Sequence, residues 1–204
     1  MNGKFSKLKD IHSRFTWLEL LLITGWIFLM GIYIAPGAFR HTVGFMLRNP
    51  LLILLNVLPI AVLLLVIYFA CMNSFASGAA ANLVFGLLSY ANLLKIDGRD
   101  DPLVPADILL LREALQASGD YRLDHPAVIA VIVLSTAVFI ALAIVLGKKR
   151  KQGGRAMSRI IGIVLSIAVF AGAFFGLYRD RELYASFPVS SVYNVTTIFN
   201  ELGL

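Results

Sequence analysis

Five stretches of about twenty residues carry almost no charge, and no other feature of this chain restricts its folding so strongly. They run 15–35, 51–72, 75–94, 127–147 and 160–178, and Glu19 is the one Asp, Glu, Lys or Arg inside them. At about 1.5 Å per residue, each is long enough to cross a hydrocarbon core roughly 30 Å thick as a helix. Apolar residues make up 59% of the 204-residue chain and charged ones 15%, with a mean hydropathy of +0.82. That balance excludes a soluble fold, a secreted disulfide scaffold and a disordered protein. The sequence predicts an all-α integral membrane bundle of five transmembrane helices.

Punctuation between the stretches supports the division. Lys4, Lys7, Lys9 and Arg14 precede the first, which is too long for a signal-peptide core and lacks a small-residue cleavage site, so it is expected to remain as an anchor. Asn49-Pro50 opens the second, and Asn73-Ser74 makes the only break before the third, predicting a tight hairpin. Pro126 stands where a first helical turn tolerates proline, and Lys148-Lys149-Arg150-Lys151 closes the fourth. Residues 1–178 thus form the membrane domain, followed by a mixed polar tail over 179–204.

The distribution of basic residues orients the bundle, because Lys- and Arg-rich loops stay cytoplasmic. An inside N-terminus places ten basic residues on the cytoplasmic side, four before the first span and six between Lys148 and Arg159, against the single acid Asp10. The opposite side then holds eight basic and ten acidic residues, and the C-terminus emerges outside. Glu19, about a turn into the first span, is expected to reach the cytoplasmic interface in preference to serving as a buried functional carboxylate. The net charge of +6 reads as a topology and anionic-lipid signal, not a nucleic-acid footprint.

Small residues at helical spacing mark the expected helix contacts. Gly78, Asn82, Gly86 and Ser89 share an arc of the third span, and Gly162, Ser166, Ala173 and Gly176 an arc of the fifth; both predict bundle interior. Asn56 and Pro59 in the second span predict a structural kink in preference to an ion site, since no charge accompanies them. Cys71 is the only cysteine, and His12, His41 and His125 are too far apart for metal-ligand spacing.

Chemistry concentrates in the outer loop between the third and fourth spans. Asp97-Gly98 suggests a turn, Pro102 and Pro105 extended backbone, and Asp107 the start of a short interfacial helix over 107–118 closed by Gly119. Lys95, Arg99 and Arg112 would stand at headgroup level, where cationic side chains bind lipid phosphate; Asp101 and Asp107 would accept from headgroup hydroxyls. The competing reading is that these charges pair with one another and pin the loop.

The run from Lys95 to Ala114, K-I-D-G-R-D-D-P-L-V-P-A-D-I-L-L-L-R-E-A, together with N-V-L-P-I at Asn56–Ile60, resembles the membrane domain of the lipoteichoic acid synthase family. The likeness extends from about Pro50 through the tail, while the first span matches only in position and character. It implies a multi-pass protein of the bacterial plasma membrane, in an enzyme group that moves phosphoglycerol from phosphatidylglycerol onto a glycolipid or growing polymer. Catalysis in that family is attributed to a threonine nucleophile and a divalent metal, usually manganese, in an extracellular sulfatase-like domain.

That catalytic centre has no counterpart in this sequence. The tail 179–204, which the resemblance implies is the start of an extracellular connector to the catalytic domain, carries Asp180, Glu182 and Glu201 but no histidine, and Thr196 and Thr197 have no ligand cluster beside them. No catalytic residue, metal site or cofactor is therefore assigned to this chain. The resemblance implies a membrane-anchoring module that presents lipid headgroups, phosphatidylglycerol foremost, to a catalytic domain in cis or to a partner enzyme. Lys95, Arg99, Asp101, Asp107 and Arg112 are the candidate headgroup-binding residues. The alternative is a self-contained, non-catalytic scaffold or lipid-binding regulator; a pore is disfavoured by the scarcity of polar residues in the spans.

Overall fold

In the computed structural model, residues 2–35, 39–99, 103, 107, 125–147 and 156–179 are described. They form six α-helices and no strand: α1 (Asn2–Ile34), α2 (Phe39–Arg48), α3 (Pro50–Cys71), α4 (Ser74–Arg99), α5 (Pro126–Gly147) and α6 (Ala156–Ala173), the last continuing into a π-helical turn at Phe174–Tyr178. Five of them are long and apolar enough to span a bilayer, over Phe15–Ile34, Pro50–Cys71, Ser74–Gly98, Pro126–Leu146 and Ala156–Leu177. Each agrees with its sequence-derived counterpart except where α4 extends past Leu94 and α6 begins before Ile160.

The helix ends follow from local chemistry. Pro50 occupies the first turn of α3, where no N–H partner is needed, and Asn49 turns its amide back to the Phe45 carbonyl at 3.0 Å. At the other end Met72 adopts a left-handed conformation (φ 54°) and its N–H returns to the Tyr68 carbonyl. Asn73 then caps α4, its Oδ1 accepting from the N–H groups of Phe75 and Ala76 at 3.1 Å each. The hairpin break therefore falls at Met72-Asn73, and Ser74 is already helical, one residue earlier than the sequence suggested.

Packing is centred on α3 and α4. Helix α4 contacts α5, α1 and α3, while α3 also holds α6 and α1; the short α2 rests on α3 and α1. One buried cluster joins Ile23 and Ile27 of α1 with Ile60 and Leu64 of α3 and Ala81 of α4. A second joins Met30 and Ile34 of α1 with Leu93 of α4 and Ile132 of α5. The outer faces are apolar too: Leu21, Leu134, Leu165 and Phe175 are all exposed, the pattern of helices whose solvent is lipid.

Close approach explains the glycines. A Cβ at Gly86 would stand 2.9 Å from Ile132, and one at Gly162 only 2.4 Å from the Phe69 ring, so α4–α5 and α3–α6 meet at distances only glycine permits. The small-residue arc of α4 is interior as expected, with Asn82 wholly buried. The arc of α6 is interior only in part. Gly162 and Ser166 are buried, whereas Ala173 is half-buried and Gly176 is exposed, because α6 has α3 as its main neighbour and nothing covers Gly176 within 4 Å.

Candidate functional site at the loop end of the bundle

The end of the bundle remote from the α3–α4 hairpin carries Lys95, Asp97 and Asp107, the described residues among those singled out at the outer loop. Helix α4 does not stop at Leu94 but runs through Asp97-Gly98 to Arg99, so Lys95 and Asp97 project from a helix and not from a turn. Tertiary contacts override the turn propensity of Asp97-Gly98. Asp97 Oδ2 lies 2.6 Å from Nε2 of His125, the residue preceding α5, and the pair ties the two helices together. His125 itself sits at φ 65° ahead of Pro126, a strained placement for a non-glycine residue, and its carbonyl accepts the first N–H bonds of α5.

Two further bonds fasten the loop to α4. Asn92 Oδ1 accepts the N–H of Leu103 at 2.8 Å, and one helical turn onward Lys95 Nζ donates to Asp107 Oδ2, also at 2.8 Å. The Lys95 and Asp107 side chains are 15% and 23% exposed, sheltered enough for the pair to resist ionic screening better than a solvated one. Of the five candidate headgroup residues, the structure brings together Lys95 and Asp107, and it brings them together with each other, as the loop-pinning reading requires. Asp101, Arg112 and the Arg99 side chain lie outside the described residues, as does the interfacial helix over 107–118 apart from Asp107.

Beneath this fastening is a feature that the sequence did not disclose. Helices α1 to α4 line an open cavity of about 340 Å³, walled mainly by apolar side chains such as Ile27, Met46, Ile60 and Phe85, with Asn92 and Leu103 among its lining residues. Asn56 and Pro59, expected to mark a kink, both face it; α3 runs through Pro59 unbroken, and the Asn56 amide donates to the Leu52 carbonyl at 2.8 Å. One wall comes from α2, an element overlooked in sequence although Phe39, Val43 and Met46 recur at helical spacing between cationic residues.

Deeper polar groups serve packing. Asn82 Nδ2 donates to Ser135 Oγ and Thr136 Oγ1 at 2.9 Å each, and those hydroxyls donate to the Val131 and Ile132 carbonyls of their own helix at 2.7 Å. Asn82 Oδ1 is buried with no partner among the described residues. At the hairpin end Ser74 Oγ donates to Glu19 Oε2 at 2.5 Å, which places Glu19 at the end of the bundle that an interfacial carboxylate needs. Among the described residues no three His, Cys, Asp or Glu side chains converge as metal ligands would.

Comparison with protein-family models, curated proteins and solved structures finds no match for this chain. The class that the fold defines is a multi-pass helical membrane protein.

Proposed function

We propose that this chain is the membrane module of a lipoteichoic-acid-synthase-like phosphoglycerol transferase, anchoring the enzyme and presenting phospholipid headgroups at the outer face of a bacterial plasma membrane. The N-terminus is cytoplasmic in this reading, because the basic residues gather on that side. Phosphoglycerol transfer belongs to a metal-dependent domain in cis or on a partner enzyme, and the module contributes by orienting a phosphodiester from below.

One observation supports the reading above the others: Lys95, a candidate headgroup residue, stands close to the loop end of a membrane-spanning helix. A cationic side chain so placed stands at headgroup depth, and in this reading Arg99 and Arg112, its neighbours in sequence, supply forked donors to a phosphate. Lys95 positions the loop in this reading through its ion pair with Asp107.

Lipid binding to the purified chain in detergent, followed by native mass spectrometry, tests this. Arg99→Ala and Arg112→Ala are each expected to weaken phosphatidylglycerol binding about tenfold, the loss of roughly one charge-assisted hydrogen bond. Unchanged binding in both variants removes the headgroup site while leaving the helical topology intact.

A further inference from the structure

The cavity between α1, α2, α3 and α4 has a depth that a bilayer gives meaning to. Its deepest walls on α3 and α4, Ile60 and Phe85, lie ten and thirteen residues from the loop ends of their spans at Pro50 and Gly98. At about 1.5 Å per residue that is roughly 15–20 Å, half of a hydrocarbon core some 30 Å thick. The cavity therefore runs from the interface to the bilayer midplane, the depth of one leaflet.

Its chemistry is graded along the same direction. The deep part is aliphatic and aromatic, and the upper part reaches Asn92 and Leu103, one helical turn below Lys95. The space is open at its side, and Leu88 among its lining residues is 43% exposed, so it is accessible to surrounding hydrocarbon. A volume of about 340 Å³ falls within the range of small-molecule sites, roughly 300–1,000 Å³. In a membrane the medium available to fill an apolar space beside lipid is an acyl chain, and an unfilled one forfeits dispersion contacts along its whole lining.

We propose that this cavity is a slot for one acyl chain of a phospholipid drawn from the leaflet on the loop side, with the glycerol and phosphate held at the level of Asn92 and Lys95. The chain descends from that level alongside Leu88 and ends near Ile60 and Phe85. The inference rests on the lipid-presenting reading for its choice of a phospholipid and is independent of any transferase activity. Recognition of the chain sets where the headgroup stands, and the loop charges act on a lipid already fixed in depth.

Gly31 supplies the decisive variant. A Cβ there meets only Ser89 Oγ, at an ordinary 3.9 Å, so the position admits a side chain, and Gly31 lines the slot that a larger one would occupy. The full chain is reconstituted in vesicles of phosphatidylglycerol or phosphatidylcholine containing a trace of phospholipid with a diazirine at one acyl terminus, and photoadducts are mapped by mass spectrometry. Adducts are expected at Ile60 and Phe85 in both lipids. Gly31→Leu, and independently Ser89→Leu on α4, should cut them about tenfold relative to adducts at lipid-facing Leu134, the effect of denying roughly two methylene groups their place. Thermal unfolding identifies which variants are folded, and either folded variant suffices.

Adducts at Ile60 and Phe85 that persist undiminished, or that never form in the parent chain, overturn the slot. Crosslinking of these residues to a second copy of the chain overturns it as well. Failure here leaves the Arg99 and Arg112 headgroup test untouched, because the diazirine reports chain placement in either headgroup background.

Discussion

Asn82 illustrates what a polar side chain does at membrane depth. It is wholly buried, and its amide bridges α4 to two hydroxyls of α5 that are each bonded to their own helix. Replacing it removes two interhelical bonds without stranding either hydroxyl, and bonds of this kind inside membranes contribute about 0.6 kcal/mol on average. Asn82→Ala is therefore expected to lower the stability of the lipid-embedded chain by roughly 1–2 kcal/mol, read from SDS unfolding in bicelles, with the fold retained. A loss below about 0.3 kcal/mol would mean that the bridge sets register without adding net stability. The unpartnered Oδ1 of the same side chain keeps the contribution small, since burying an acceptor alone offsets part of what the donors gain.

At the scale of helices, the α3–α6 contact depends on Gly162. An added Cβ would overlap the Phe69 ring, which cannot move aside as a flexible chain end does, so Gly162→Ala should destabilise by about 1–3 kcal/mol and pull α6 from α3. Phe69→Ala in the same chain should restore the contact; persistent separation of the helices, measured by spin-label distances, would show that the glycine matters for another reason. The spans were legible in sequence because charge cannot enter hydrocarbon cheaply, so their limits are written as charge. The end of α4 was not, because Asp97-Gly98 reads as a turn until His125 arrives from 28 positions away to hold it helical. Helix α2 escaped for a related reason: its ten residues are too short to cross, and its burial of Met46 depends on α1 and α3 being placed first. In the candidate site, charge density pointed to the loop, but only the fold showed Lys95 closing on Asp107, and no linear pattern marks a cavity drawn from four helices.

For the molecule as a whole, sidedness is the property on which the proposed function turns. Cys71 is exposed at the hairpin end, opposite the Lys95–Asp107 pair, and provides a native reporter. Membrane-impermeant maleimide applied to intact cells should leave Cys71 unlabelled and should label it after permeabilisation. Ser118→Cys in a Cys71→Ala background should show the reverse preference, reacting in intact cells. Labelling of Cys71 from outside would invert the bundle and separate the charged loop from any cell-surface chemistry.

Helix α6 is fixed at two heights, by Gly162 against Phe69 near the hairpin and by Leu177 against the cluster of Ile32, Met46, Leu52 and Leu55 at the far end. Three members of that cluster, Ile32, Met46 and Leu55, are also walls of the cavity. Levering the last turn of the chain's final crossing thus bears on the same wall that a guest hydrocarbon tail would touch, giving mechanical load and cargo a common fulcrum.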